Sequence, residues 1–156
     1  MLSYPPAGQR RALGADKRGM KTDALSLVIA SDDWFARQLF ADAAEESGAF
    51  GKILAVDDGY SALAETWESV EQGSVPDVYL VDLRSVGLSG QRLITEVRAD
   101  PITQHAFIAV LTEQPAAGEY GADICTALDA TSPKLLDLMR LIASCAITGA
   151  GKRKAA

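Results

Sequence analysis

Pro76-Asp77-Val78-Tyr79-Leu80-Val81-Asp82 is the stretch on which the fold turns. Four apolar residues run without alternation from a proline-led turn and stop at an acid. A strand covered on both faces is continuously apolar in this way, whereas a strand with one wet face alternates. Upstream, Tyr60, Leu63, Trp67 and Val70 recur at helical spacing, and Gly73 and Pro76 end that helix. Downstream, a loop holding Gly87 and Gly90 is expected, followed by a helix with Leu93, Ile94 and Val97 on one face.

The same unit repeats on either side. Leu25–Ala30 is a short apolar run ending at Ser31-Asp32-Asp33, with Phe35, Leu39, Phe40 and Ala43 at helical spacing beyond it. Asp32 or Asp33 suits the helix start. Lys52–Val56 predicts a second strand, closed by the turn Asp57-Asp58-Gly59. Phe107–Leu111 predicts a fourth strand, ending at Thr112, and Ile124–Leu128 a weaker fifth. Ser132 and Pro133 suit the N-cap and first position of a last helix, with Leu135, Leu138, Met139, Ile142 and Cys145 on its face and an end fraying at Gly149. Strands alternating with helices define an α/β, doubly wound, five-stranded parallel sheet.

In such a sheet, ligands bind beyond the carboxyl ends of the strands. Ser31-Asp32-Asp33, Asp82 and Thr112 stand at those ends. If the first and third strands are neighbours, Asp32 and Asp82 converge in one acidic pocket. A hard cation such as Mg2+ relieves their repulsion through oxygen ligands. A carboxylate there can also accept a phosphoryl group, with Thr112 as a hydrogen-bond donor. The plainer reading of each acid alone is a turn or helix cap, because an Asp side chain bonds nearby backbone amides.

Together these residues resemble the receiver domains of bacterial two-component response regulators. The resemblance spans residues 25–147 and is carried by Leu27–Arg37, Asp57–Leu63, Pro76–Asp82, Gly90 with Leu93, Ile94, Val97 and Arg98, Val110-Leu-Thr112, and Gly121-Ala122. It implies the flavodoxin-like strand order 2-1-3-4-5. It also implies that Asp82 is the phosphoacceptor of a histidine kinase or phosphotransferase. Mg2+ would be held by Asp32, Asp82 and the backbone carbonyl of Arg84, with Thr112 as the switch hydroxyl.

The departures from the family pattern fall at its site. One acid of the pair after the first strand is replaced by Ser31, and Asp33 comes one step late. Leu128 stands where the family has a lysine, Cys125 where it has an aromatic switch, and Val86 where it has a proline. The span from Thr112 to Gly121 leaves room only for a short or missing fourth helix. Weak Mg2+ binding follows, as does loss of the lysine contact to a phosphoryl group. Loop arginines are mostly solvated, so Arg84 is expected at the surface, the alternative being that it swings in to replace the lysine.

Composition frames these readings. The chain has 156 residues, 48% hydrophobic and 23% charged, with a net charge of -6. Residues 1–24 are expected to be a disordered basic arm and residues 148–156 a basic tail, about +3 each, around a receiver-like domain at 25–147 carrying about -12. An acidic body disfavours nucleic-acid binding by the domain, since phosphate contacts need a basic face. No apolar run approaches the roughly 20 residues of a membrane span, and a signal-peptide core is missing from the N-terminus, so a cytoplasmic protein without membrane partners is expected. Cys125 and Cys145 suit small core hydrophobes and His105 a solvated loop. One of Trp34 and Phe35 is expected in the core and the other in a partner contact. Gly149-Ala-Gly-Lys152 follows a helix rather than a strand, so it fails as a phosphate loop.

Three functional readings remain from sequence. The first is a single-domain receiver in a phosphorelay, acting by protein–protein contact. The second is a phosphorylation-independent adaptor on the same fold. The third is a small metal-dependent phosphohydrolase, disfavoured because no general base accompanies Asp82 in the motifs, so no catalytic residue is assigned.

Overall fold

The computed structural model describes the backbone of residues 24–113 and 121–155, and side chains for 24–113 and 121–148. In chain order the elements are β1 (Leu25–Ala30), α1 (Trp34–Ser47), β2 (Phe50–Val56), α2 (Gly59–Glu71), β3 (Val78–Asp82), α3 (Leu83–Ala99), β4 (Phe107–Leu111), β5 (Ile124–Thr126) and α4 (Leu135–Ala155). The strands form one parallel sheet in the order β2-β1-β3-β4-β5. This is the doubly wound parallel sheet expected from the alternating pattern, in the flavodoxin-like order that the resemblance implies.

The continuous apolar runs are explained by two cores, one on each face of the sheet. Leu27, Ile29, Leu80 and Leu111 pack with Phe40 of α1 and Leu138, Met139 and Ile142 of α4. Their neighbours in sequence, Val28, Ala30, Tyr79, Val81 and Val110, pack with Ala62 of α2 and Leu93, Ile94 and Val97 of α3. Successive strand side chains point to opposite faces, so a strand covered twice needs apolar residues at every position.

Several local expectations shift. β2 starts at Phe50 rather than Lys52. Gly51 lies inside the strand, and a Cβ there would lie 2.7 Å from Ala24 Cβ. The inner face of α2 is Gly59, Ala62 and Thr66, and Tyr60 is 60% exposed. Small residues face inward because α2 crosses α3 closely; a Cβ on Gly59 would come within 1.8 Å of the Ser89 carbonyl oxygen. The segment after Asp82 is helical from Leu83 instead of a loop, with a break at Gly87 (φ 50°, ψ -122°), a conformation that disfavours a side chain.

At the helix ends, Asp33 rather than Asp32 caps α1, accepting from the Phe35 and Ala36 amides. Trp34 and Phe35 are both exposed, at 58% and 55%, so neither enters the core. Ser132 shapes the turn before α4, its Oγ accepting from the Lys134 amide, and the regular helix begins at Leu135. The helix continues through Gly149 and Gly151 to Ala155 instead of fraying at Gly149. Cys125 and Cys145 are half-buried against the two cores. The expected arm, up to residue 23, and the expected clipped fourth helix, over 114–120, lie outside the described residues. No described helix is long and apolar enough to cross a membrane.

β5 has only three residues, all half-buried, and Arg98 of α3 holds the chain leading into it. Its guanidinium donates to the carbonyls of Gly121, Gln104 and Ala106 and pairs with Asp123 at 2.8 Å. The same Asp123 oxygen accepts from the Ile108 amide of β4 at 2.8 Å. Burial pulls the Arg98 guanidinium below its ordinary pKa.

Candidate functional site

β1 and β3 lie side by side, with Ala30 opposite Val81. Residues just past their ends therefore meet, and the first contact is between Ser31 and Asp82. Ser31 is fully buried and its Oγ donates to Asp82 Oδ2 at 3.1 Å. The Ser85 hydroxyl, one helical turn beyond Asp82, lies 3.4 Å from the same oxygen and accepts from the Asp32 amide at 2.9 Å. Arg37 of α1 is also buried and donates from Nη1 to the Ser31 carbonyl at 2.7 Å, which fixes the end of β1.

The other carboxylate oxygen belongs to Arg84. Its Nε donates to Asp82 Oδ1 at 3.2 Å. The far end of the same guanidinium donates to the carbonyls of Ala127 and Leu128, at 3.3 and 3.1 Å. The expected surface arginine is thus turned inward, with its side chain 20% exposed and that of Asp82 only 7%. The fork geometry makes this possible: one guanidinium presents donors along separate edges, so it can hold a carboxylate and two carbonyls together. Arg84 places a positive charge beside Asp82 from the first turn of α3, where the family pattern supplies one from the end of β5.

The loop that receives Arg84 is itself held. The Leu128 amide lies 3.3 Å from Thr126 Oγ1. Asp129 Oδ1 accepts from the Thr131 hydroxyl and amide, which draws the exposed Asp129 carboxyl below its usual range. The Leu128 side chain packs toward the α1/α4 core, so only its carbonyl serves the site.

The remaining sequence-expected residues fall around this centre. Thr112 is buried just past β4, its amide donating to the Thr126 carbonyl at 3.0 Å; the pairing of Asp82 with Leu111 puts it one step beyond the acid. Cys125 sits opposite Val110 on β5 and packs toward the α2/α3 core. Asp32 is exposed, and among the described residues its carboxylate receives no hydrogen bond. Asp33 points into the cap of α1. Further from the site, the buried Tyr79 hydroxyl lies 2.9 Å from Thr66 Oγ1, and burial pushes its pKa up to about 12 despite that bond.

Sequence reasoning placed Asp82, Ser31 and Thr112 at the strand ends but missed Ser85 and Arg37 and misplaced Arg84. The available signal was the spacing of Arg84 and Ser85, two and three residues after the acid. Such residues fall back on a strand-terminal carboxylate when the chain turns helical at once.

The donor set fits a divalent cation poorly. Mg2+ takes an octahedron of oxygens, anchored by one or two carboxylates. Here the buried carboxylate meets a guanidinium on one oxygen and hydroxyls on the other. Among the described residues, no three His, Cys, Asp or Glu side chains are grouped to hold a metal.

No protein-family model matches the sequence, and no curated protein matches it. Solved structures do. The signal receiver domain of the putative response regulator NarL from Mycobacterium tuberculosis matches with a TM-score of 0.64 and 20% identity, over 81% of this chain and 98% of that one. A sensor protein from Polaromonas sp. JS666 matches with a TM-score of 0.63 and 22% identity, over the same shares. The Mn2+-bound form of the response regulator Rcp1 matches with a TM-score of 0.55 and 18% identity, over 78% of this chain and 91% of that one. The chain therefore has the fold of response regulator receiver domains.

Proposed function

We propose that the chain is a receiver module of a phosphorelay, accepting a phosphoryl group on Asp82 and signalling by protein–protein contact. The observation that carries this reading is the Arg84 bridge. Asp82 stands at the carboxyl end of the central strand, and Arg84 ties it to the Ala127 and Leu128 carbonyls. A phosphoryl group on Asp82 would add charged oxygens where that guanidinium sits, so the bond to the β5–α4 loop would respond to modification. In the step itself a carboxylate oxygen attacks phosphorus and the bond from phosphorus to the donor's leaving atom breaks, an imidazole nitrogen in a phosphohistidine or a carboxylate oxygen in acetyl phosphate. Arg84, Ser31, Ser85 and Thr112 supply the positive charge and hydroxyls around the developing anion. The partner is a histidine kinase or phosphotransferase protein, and the setting is the cytoplasm.

The fold family also carries a role for Mg2+ through Asp32, Asp82 and the Arg84 carbonyl. The structure sets the side chain of Arg84 against the acid. One observation favours the adaptor reading: both Asp82 oxygens are already engaged in the unmodified chain. Intact mass after incubation with acetyl phosphate, with Mg2+ and with EDTA, separates the two. Gain of one phosphoryl mass in the wild type and none in Asp82→Asn supports the receiver; no gain in either condition supports the adaptor.

A further inference from the structure

The buried Asp82 carboxylate has a cation built into its own chain. Arg84 donates to Oδ1 at 3.2 Å and is pinned in place by two carbonyls of a separate loop. Ser31 supplies a proton donor to Oδ2 at the position where a second acid would add charge. A second guanidinium, Arg37, lies behind it on the Ser31 carbonyl at 2.7 Å. One buried carboxylate thus has a fixed positive charge of its own, and the neighbouring acids turn outward: Asp32 is exposed and Asp33 caps α1. Charge at Asp82 is balanced before any ion arrives, and an arriving divalent ion meets like charge.

We infer that Arg84 serves as the resident counter-ion of Asp82 and closes this pocket to divalent cations. A divalent ion on Asp82 must either displace Arg84, breaking its two carbonyl bonds, or sit beside it against electrostatic repulsion. The fixed charge of a neighbouring arginine lowers the affinity of a carboxylate for a proton by about 10- to 1000-fold, and a doubly charged ion at the same oxygen meets at least that repulsion. Removing Arg84 while keeping Asp82 is expected to open the site by at least the lower figure. The inference concerns metal affinity alone and stands whether or not Asp82 accepts phosphate.

The test is paramagnetic broadening of backbone amide resonances by Mn2+ in the full chain, without phosphodonor. In the wild type, Mn2+ is expected to leave the Ser31, Asp82 and Thr112 amides no more broadened than exposed acidic sites elsewhere. In Arg84→Met the same amides broaden selectively, with apparent affinity at least about tenfold higher, and excess Mg2+ reverses the effect. The double variant Arg84→Met/Asp82→Asn loses it again. Arg84→Gln, which removes the charge while its amide nitrogen stands about where Nε donates to Asp82 Oδ1, is measured in parallel under the same criterion, so that a poorly folded methionine variant does not decide the result. Selective broadening in the wild type overturns the inference, and so does failure of the folded Arg84 variant to gain it.

Discussion

Ser31→Asp puts a number on the geometry of the pocket. The substitution replaces a hydroxyl that donates to Asp82 Oδ2 at 3.1 Å with a carboxylate, at a position fully shielded from solvent. The hydrogen bond lost has a charged acceptor and contributes about 1.5–3 kcal/mol. Two like charges about 4 Å apart repel by roughly 4 kcal/mol at an effective dielectric constant near 20. Arg84 offsets part of this, and the new side chain relieves more by turning away from Asp82. The expected net loss is about 3 kcal/mol at neutral pH in EDTA. The assay is urea denaturation, with the midpoint falling at an unchanged slope. The added acid also gives the site a second charged oxygen ligand, so Mg2+ at about 100 times its dissociation constant should restore about 2.7 kcal/mol. A loss smaller than about 1 kcal/mol, with no effect of Mg2+, would refute the reasoning, because it would mean that Ser31 does not face Asp82.

Two further perturbations follow from buried groups outside the site. Tyr79 is raised in the folded state to about 12 from 10.0, so the unfolded chain ionises first. Its contribution is fully present below pH 10 and falls as pH rises toward 12, by about 2–3 kcal/mol in total; Tyr79→Phe should flatten this alkaline decline in denaturation midpoints, and an unchanged decline would contradict it. Arg98→Met breaks the pair with Asp123 and three carbonyl bonds. It should cost about 2–3 kcal/mol, discounted from the figure for a fully buried pair, and hydrogen exchange should accelerate at Ile124–Thr126 while β1 and β3 stay protected.

The sheet was legible because strands covered on both faces need apolar residues at every position, and Leu27–Ala30, Val78–Val81 and Phe107–Leu111 supply them without interruption. Helix faces were less so. Periodicity counts large residues, and on α2 it selected Tyr60 and Trp67, whereas the close crossing with α3 selects the small face of Gly59 and Ala62. At the site, Asp82 and Ser31 were legible because strand ends of a parallel sheet meet in a known place. The direction of Arg84 was not, because it depends on carbonyls 43 and 44 residues further along the chain.

The Arg84 pairing also bears on how the molecule opens. The acid and its cation are two residues apart, so bringing them together closes almost no loop and costs little chain entropy. A cation supplied from the end of β5 would instead pair with Asp82 only after the last strand had docked. Here the carboxylate has its partner as soon as β3 and the turn after it are in place. β5 is a three-residue edge strand, half-buried throughout, the kind of element that unfolds locally while the rest persists. When it peels away, Arg84 gives up two carbonyls and keeps its acid. Opening at this edge therefore leaves the Asp82 carboxylate paired at the centre of the sheet.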